Sequence, residues 1–152
     1  MYIFLTGIHN ILRWLVLLSA IWVLVSAYSG LFSRRNWQDS DRQAGLIFNI
    51  VFGLQFIVGL ILYGVSPISR ALMADPAYGM SDKLTRFFGV EHAFTMIVAF
   101  AIAQIAYSRS KRLSSHRAKF MWAAIGYTLA IVLVLAAIPW DRPFIRNPFL
   151  GL

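Results

Sequence analysis

The sequence predicts an all-α integral membrane protein: an antiparallel bundle of four spanning helices, one domain over 1–152, with both termini on the outer (periplasmic) side. Three observations predict it. Hydrophobic residues fill 59% of the 152 positions and charged ones only 13%, where a soluble domain carries about 25% charged. The apolar excess is gathered into four blocks separated by short polar stretches. Each block is near or above the ~20 residues that a spanning helix needs. In hydrocarbon every backbone amide must be satisfied within its own segment, so such blocks become helices.

The first block covers about 2–32 and is long enough to tilt or protrude. It is too long for a cleavable signal core and no basic region precedes it, so it is expected to remain as a membrane helix. The second covers about 44–65, the third 87–107 and the fourth 120–138. Connections 33–43 and 108–119 are short, which favours up-down-up-down packing. The connection 66–86 is longer, with Pro67, Pro76 and Gly79, and its stretch 68–73 is expected to form a short interfacial helix before the Asp75-Pro76 turn.

Orientation follows from the basic residues. One side receives Arg34, Arg35, Arg42, Arg109, Lys111, Arg112, Arg117 and Lys119, eight in all, and the other Arg70, Lys83, Arg86, Arg142 and Arg146. The positive-inside rule places these eight on the cytoplasmic side and both termini outside. The net charge of +8 thus belongs to loops that orient helices and meet anionic lipid. Nucleic acid is excluded as a partner on the same ground. Cysteine is absent, so disulfides and thiolate metal sites are excluded.

The informative residues are the polar ones inside the blocks. His9, Asn10 and Arg13 lie in the first, Gln55 in the second, and Glu91 and His92 in the third. At about 1.5 Å rise per residue, His9, Arg13, Gln55, Glu91 and His92 fall within one layer in the outer half of the bundle. A charge at helix centre costs about 2.5–3.5 kcal/mol and usually faces a partner or cavity. Arg13 and Glu91 are the expected ion pair, and four-residue spacing puts His9 on the Arg13 face.

Two readings of this layer stand side by side. In the first it is an interhelical clasp that only holds helices together, with His92 bonded to a carbonyl. In the second His9 and His92 ligate a metal centre, most plausibly haem iron, for which neutral imidazole is a standard axial ligand. Gly59, one turn beyond Gln55 on the same face, and Gly53 would allow a helix or a flat macrocycle to approach. Met96, four after His92, is read as packing, and His116, among Arg and Lys, as solvated. No zinc-ligand spacing, phosphate-cradling loop or activated Ser or Cys nucleophile is present, so an enzyme acting by itself is not expected.

Five segments carry a resemblance: His9-Asn10-Ile11-Leu12-Arg13-Trp14; Gln55 through Gly59-Leu60-Ile61-Leu62-Tyr63; Glu91-His92 with Met96; Ser108-Arg109-Ser110-Lys111-Arg112; and Ile138-Pro139-Trp140. In order and spacing they resemble small four-helix membrane proteins of the cytochrome b-like type, frequent in Bacteroidota and relatives. The resemblance implies b-type haem and membrane electron transfer, or a small subunit attached to a larger energy-converting complex. Such proteins often carry a histidine two residues before Gln55 and another near the inner end of the third helix. Here those positions are Gly53 and Tyr107, so the resemblance allows one haem at most. The alternative is a structural or pigment-binding subunit of a respiratory or photosynthetic assembly, where a lone histidine holds bacteriochlorophyll or no cofactor is bound.

Overall fold

The computed structural model describes residues 1–140, so Arg142 and Arg146, counted above for orientation, lie outside the described residues. Four long helices carry the fold: α1 (Tyr2–Ser33), α2 (Asp39–Val65), α6 (His92–Arg112) and α7 (His116–Ala137). Between α2 and α6 lie α3 (Pro67–Ala74), α4 (Pro76–Ser81), α5 (Lys83–Arg86) and a π-helical turn, Phe87–Glu91, which runs straight into α6. The fold is all-α, with four helical stretches long and apolar enough to cross a membrane, the third of them spanning Lys83–Arg112.

The helices outrun the apolar blocks because polar caps extend them. α2 starts at Asp39 rather than near 44, held by a capping box in which Gln38 and Asp41 satisfy each other's backbone amides. α7 starts at His116, with the Ser115 hydroxyl accepting from the Ala118 amide. α1 ends where Arg34 turns left-handed at φ 54°. The connection 66–86 holds three short helices where one was expected. Ser66, Asp75 and Asp82 each cap one of them, and Pro67 and Pro76 supply the first-turn residue for α3 and α4. The Asp82 carboxyl, bonded first by the Thr85 side chain and then by its amide, sits below the usual carboxylate range.

Packing runs in a ring: α1 against α2, α2 against α6, α6 against α7, and α7 back against α1. Ser26 of α1 meets Asp41 of α2, and Tyr28 meets Thr128 of α7, at one end. At the other end His9 of α1 meets Gly59 of α2, and His92 of α6 meets Ala137 of α7. Each long helix therefore runs against the one before it.

Small residues bring the backbones close. Ala99, Ala103, Ala106, Ala123, Ala124 and Ala130 are buried along the α6–α7 seam, and a methyl on Gly126 would collide with Ala106. Gly30 gives its space to the Phe120 ring of α7, while Ser26, one turn earlier on α1, faces Asp41 of α2. Buried aromatics fill the middle, Phe48 edge-on to Tyr127 and Phe52 edge-on to Phe100. Outside, Leu18, Ile21, Val25, Ile50, Ile125, Leu129 and Val132 are exposed. An inside of Ala and aromatics under an outside of Leu, Ile and Val suits a hydrocarbon solvent rather than water.

Candidate functional site

Beside α3, the four long helices part around a cavity of about 480 Å³. That volume lies in the range of small-molecule and cofactor sites, about 300–1,000 Å³. Its wall takes His9, Arg13, Gln55, Gly59, His92 and Met96 from the long helices, with Tyr63, Ser69 and Phe88 near the end that α3 covers. Most of the remaining lining is aliphatic or aromatic, including Val16, Phe52, Phe56, Leu60, Ile97 and Val134. The polar layer expected from sequence is thus the wall of a chamber, and not a closed seam.

The two histidines lie next to each other on its wall, edge to face. Their ring centres are 6.4 Å apart with the planes at 68°. His92 Nδ1 lies 2.9 Å from the Ala137 carbonyl oxygen, a contact that fixes this nitrogen as the protonated one and leaves Nε2 as the basic one. His9 Nδ1 is buried with no hydrogen-bond partner. Gly59 is what lets the His9 ring sit there: a methyl at that position would stand 3.2 Å from its Cε1. Gly53, the other glycine considered for this role, faces Phe100 instead.

A π-helical turn delivers His92. The His92 amide donates to the Phe87 carbonyl, five residues back, so the chain gains one residue in that turn relative to an α-helix. Tyr63 pins the turn by donating its hydroxyl to the Gly89 carbonyl, 2.9 Å. The close fit of Leu72 of α3 against Gly89 seats the short helices on it from the other side.

The expected Arg13–Glu91 ion pair is not formed, and this corrects the sequence reading. The wide turn brings Glu91 onto the same side as Arg86, five residues earlier, and their side chains pair at 2.8 Å. Both are partly solvent-exposed. Arg13 instead lies 7% exposed with its guanidinium 5.2 Å from the Trp14 ring centre, and its Nε and Nη2 have no hydrogen-bond partner among the described residues. Gln55, 8% exposed, also carries an unpartnered atom, Oε1. Met96 lines the cavity while packing against the core.

A second polar group, missed from sequence, lies at the other end. Asp41 takes both Arg35 nitrogens at 2.6 Å, the Ser26 hydroxyl at 2.5 Å and the Gln38 amide at 2.9 Å. The bond to Asp41 raises the affinity of the Arg35 guanidinium for its proton. Nearby, Asn49 bonds the Tyr127 hydroxyl and the Gly45 carbonyl. The signal was available in Asp41, an acid at the first turn of an apolar helix opposite a run of arginines. His116 is exposed as expected but is not merely solvated, since its Nδ1 accepts from the Trp37 amide at 3.0 Å.

Among the described residues no three His, Cys, Asp or Glu side chains are grouped to hold a metal ion. An ion at His9 and His92 would need its remaining ligands from elsewhere, and a macrocycle brings its own. No family model, curated protein or solved structure matches this chain, so no homology ties it to a cytochrome b-like family and the site stands on its own chemistry.

Proposed function

We propose that this chain is a multi-pass protein of a bacterial cytoplasmic membrane that holds one b-type haem between His9 and His92. It serves electron transfer as a small subunit of a larger energy-converting assembly, and not as an enzyme by itself. One observation carries the reading: imidazoles from two helices stand 6.4 Å apart at the wall of one apolar cavity. A metal–imidazole bond is about 2.0–2.1 Å, so rings this close are near enough for both side chains to hold one metal centre. The residues fit the group in three further ways. His92 is oriented through its Nδ1 by a carbonyl, as a histidine that would ligate a metal through its other nitrogen usually is. Gly59 leaves room for the His9 ring, and the apolar lining keeps water from the ring faces.

When bound, a haem supplies a reversible one-electron carrier whose potential the protein tunes by burial and by bonds to its axial ligands. The chain's part is to hold two neutral imidazoles at fixed spacing in an apolar chamber. Purified with haem supplied, the protein should give a low-spin spectrum that sharpens on dithionite reduction. His9→Ala and His92→Ala should each abolish it at unchanged helical content. A colourless wild type would sink the reading.

The second reading is a structural or pigment-binding subunit. The His92–Ala137 contact favours it, because it ties α6 to α7 with no cofactor at all. It predicts a colourless protein, or a bacteriochlorophyll spectrum when that pigment is offered. In both readings the basic loop between α6 and α7 faces the cytoplasm and both termini lie outside. A cysteine at Ser114 should then react with an impermeant thiol reagent only after the membrane is opened, and labelling in intact cells would reverse the assignment.

A further inference from the structure

We propose that the occupant of the cavity is an acidic amphiphile, an apolar body bearing a carboxylate, and that Arg13 is the receptor for that carboxylate. The argument starts from a charge without an answer. Arg13 is buried in the first long helix, roughly 16 Å from the helix start at about 1.5 Å per residue, inside a helix long and apolar enough to cross a membrane. A cation at that depth faces a partner or a cavity. Among the described residues no carboxylate pairs with it, and Glu91, the acid nearest in sequence register, is held by Arg86.

The other ways of satisfying a guanidinium fall short here. Contact with the Trp14 ring at 5.2 Å engages the group electrostatically and supplies no hydrogen-bond acceptor to Nε or Nη2. Nε and Nη2 find neither carbonyl nor hydroxyl. What remains is the chamber that the side chain lines. The planar fork of an arginine is matched by the two oxygens of a carboxylate, which it binds with paired, charge-assisted bonds. Gln55, on the α2 wall of the same chamber, also has an unpartnered amide atom, and a half-turn of its amide would offer a further N–H to the anion. Most of the remaining described wall is aliphatic or aromatic and takes the body of the ligand.

This inference deepens the haem reading, since a haem carries carboxylates, but it does not rest on iron. Two sources share the chemistry: the propionates of a macrocycle, and the headgroup of a long-chain fatty acid. Iron-free probes separate them. The full chain in detergent is titrated with protoporphyrin IX and with its dimethyl ester, and in parallel with cis-parinaric acid and its methyl ester.

With at least one scaffold the wild type should prefer the acid about tenfold or more over the ester. Arg13→Gln should erase that preference and leave ester binding unchanged, while Arg13→Lys should keep part of it. Because micelle partitioning is common to all variants, the comparison among them cancels it. Preference for the porphyrin acid alone assigns the carboxylate to a macrocycle, and preference for the fatty acid alone assigns it to a lipid. Equal binding of acid and ester by the wild type with both scaffolds would overturn the proposal, and that arm needs no variant to fold. An acid preference that survives in Arg13→Gln would overturn it too. Haem spectra are read separately, so a protein that binds the iron-free acid yet stays colourless with haem would keep this site and lose the axial ligation.

Discussion

The two ends of the bundle spend their buried polar groups in opposite ways. Around Asp41 two guanidinium bonds, a hydroxyl and an amide converge on one carboxylate whose side chain is 2% exposed, and only Asn49 Oδ1 nearby has no partner among the described residues. The space left there is about 10 Å³, room for one water at most. Around Arg13 the count reverses. His9 Nδ1, Arg13 Nε and Nη2, and Gln55 Oε1 are all unpartnered, and they lie about a chamber of about 480 Å³. Buried polar groups in native proteins are overwhelmingly hydrogen-bonded, so a concentration of unpaired ones beside empty volume marks a place built for something else. Saturation identifies the joint, and its lack identifies the site.

Mutations should separate the ends. Asp41→Ala removes the common acceptor for Arg35, Ser26 and the Gln38 amide, and takes the capping box of α2 with it. The expected cost is about 2–4 kcal/mol, below a fully buried pair because Arg35 can turn to solvent. It should appear as the largest drop in thermal midpoint of any single polar substitution discussed here. Arg13→Met should act in the other direction. Replacing an unpaired buried charge by an apolar side chain of similar length is expected to be neutral or to stabilise the ligand-free protein by about 1–3 kcal/mol. A loss as large as that of Asp41→Ala would mean that Arg13 is a joint like Asp41, and the contrast between the ends would collapse.

How far the sequence disclosed this arrangement varies by residue. The four spans were legible because lipid imposes one rule on every segment, and the polar interruptions His9, Arg13, Gln55 and His92 stood out against it. Depth was legible too, since a helix advances by a fixed rise. Azimuth was not. The π-helical turn adds a residue just before His92, turning Glu91 outward to Arg86, and nothing in Phe87-Phe88-Gly89-Val90-Glu91 announces a five-residue turn. The cavity was equally hidden, because volume arises from how four helices part and not from any one of them. Asp41 was overlooked for another reason: the apolar block was read as starting at 44, and the cap that carries the chain back to Asp39 lies outside it.

The smallest expected effect sharpens the same contrast from its outer rim. Arg86 and Glu91 form an ion pair at 2.8 Å, as short a contact as many buried ones, yet their side chains are 39% and 49% exposed. Water competes for both groups, and holding two long side chains together costs entropy, so exposed pairs contribute about 0–1 kcal/mol. Glu91→Ala should therefore lower stability by less than about 1 kcal/mol, and a double-mutant cycle with Arg86→Ala should give a coupling of the same small size. Had Glu91 been the partner of Arg13 in the membrane interior, the same substitution would strand a buried cation at about 3–5 kcal/mol. A thermal-melt series of Glu91→Ala, Arg86→Ala and Arg13→Ala, singly and in pairs, distinguishes the two. Strong coupling of Glu91 to Arg13 would return the acid to the cavity, supply the counter-charge from the chain itself, and overturn the assignment of Arg13 to a ligand carboxylate.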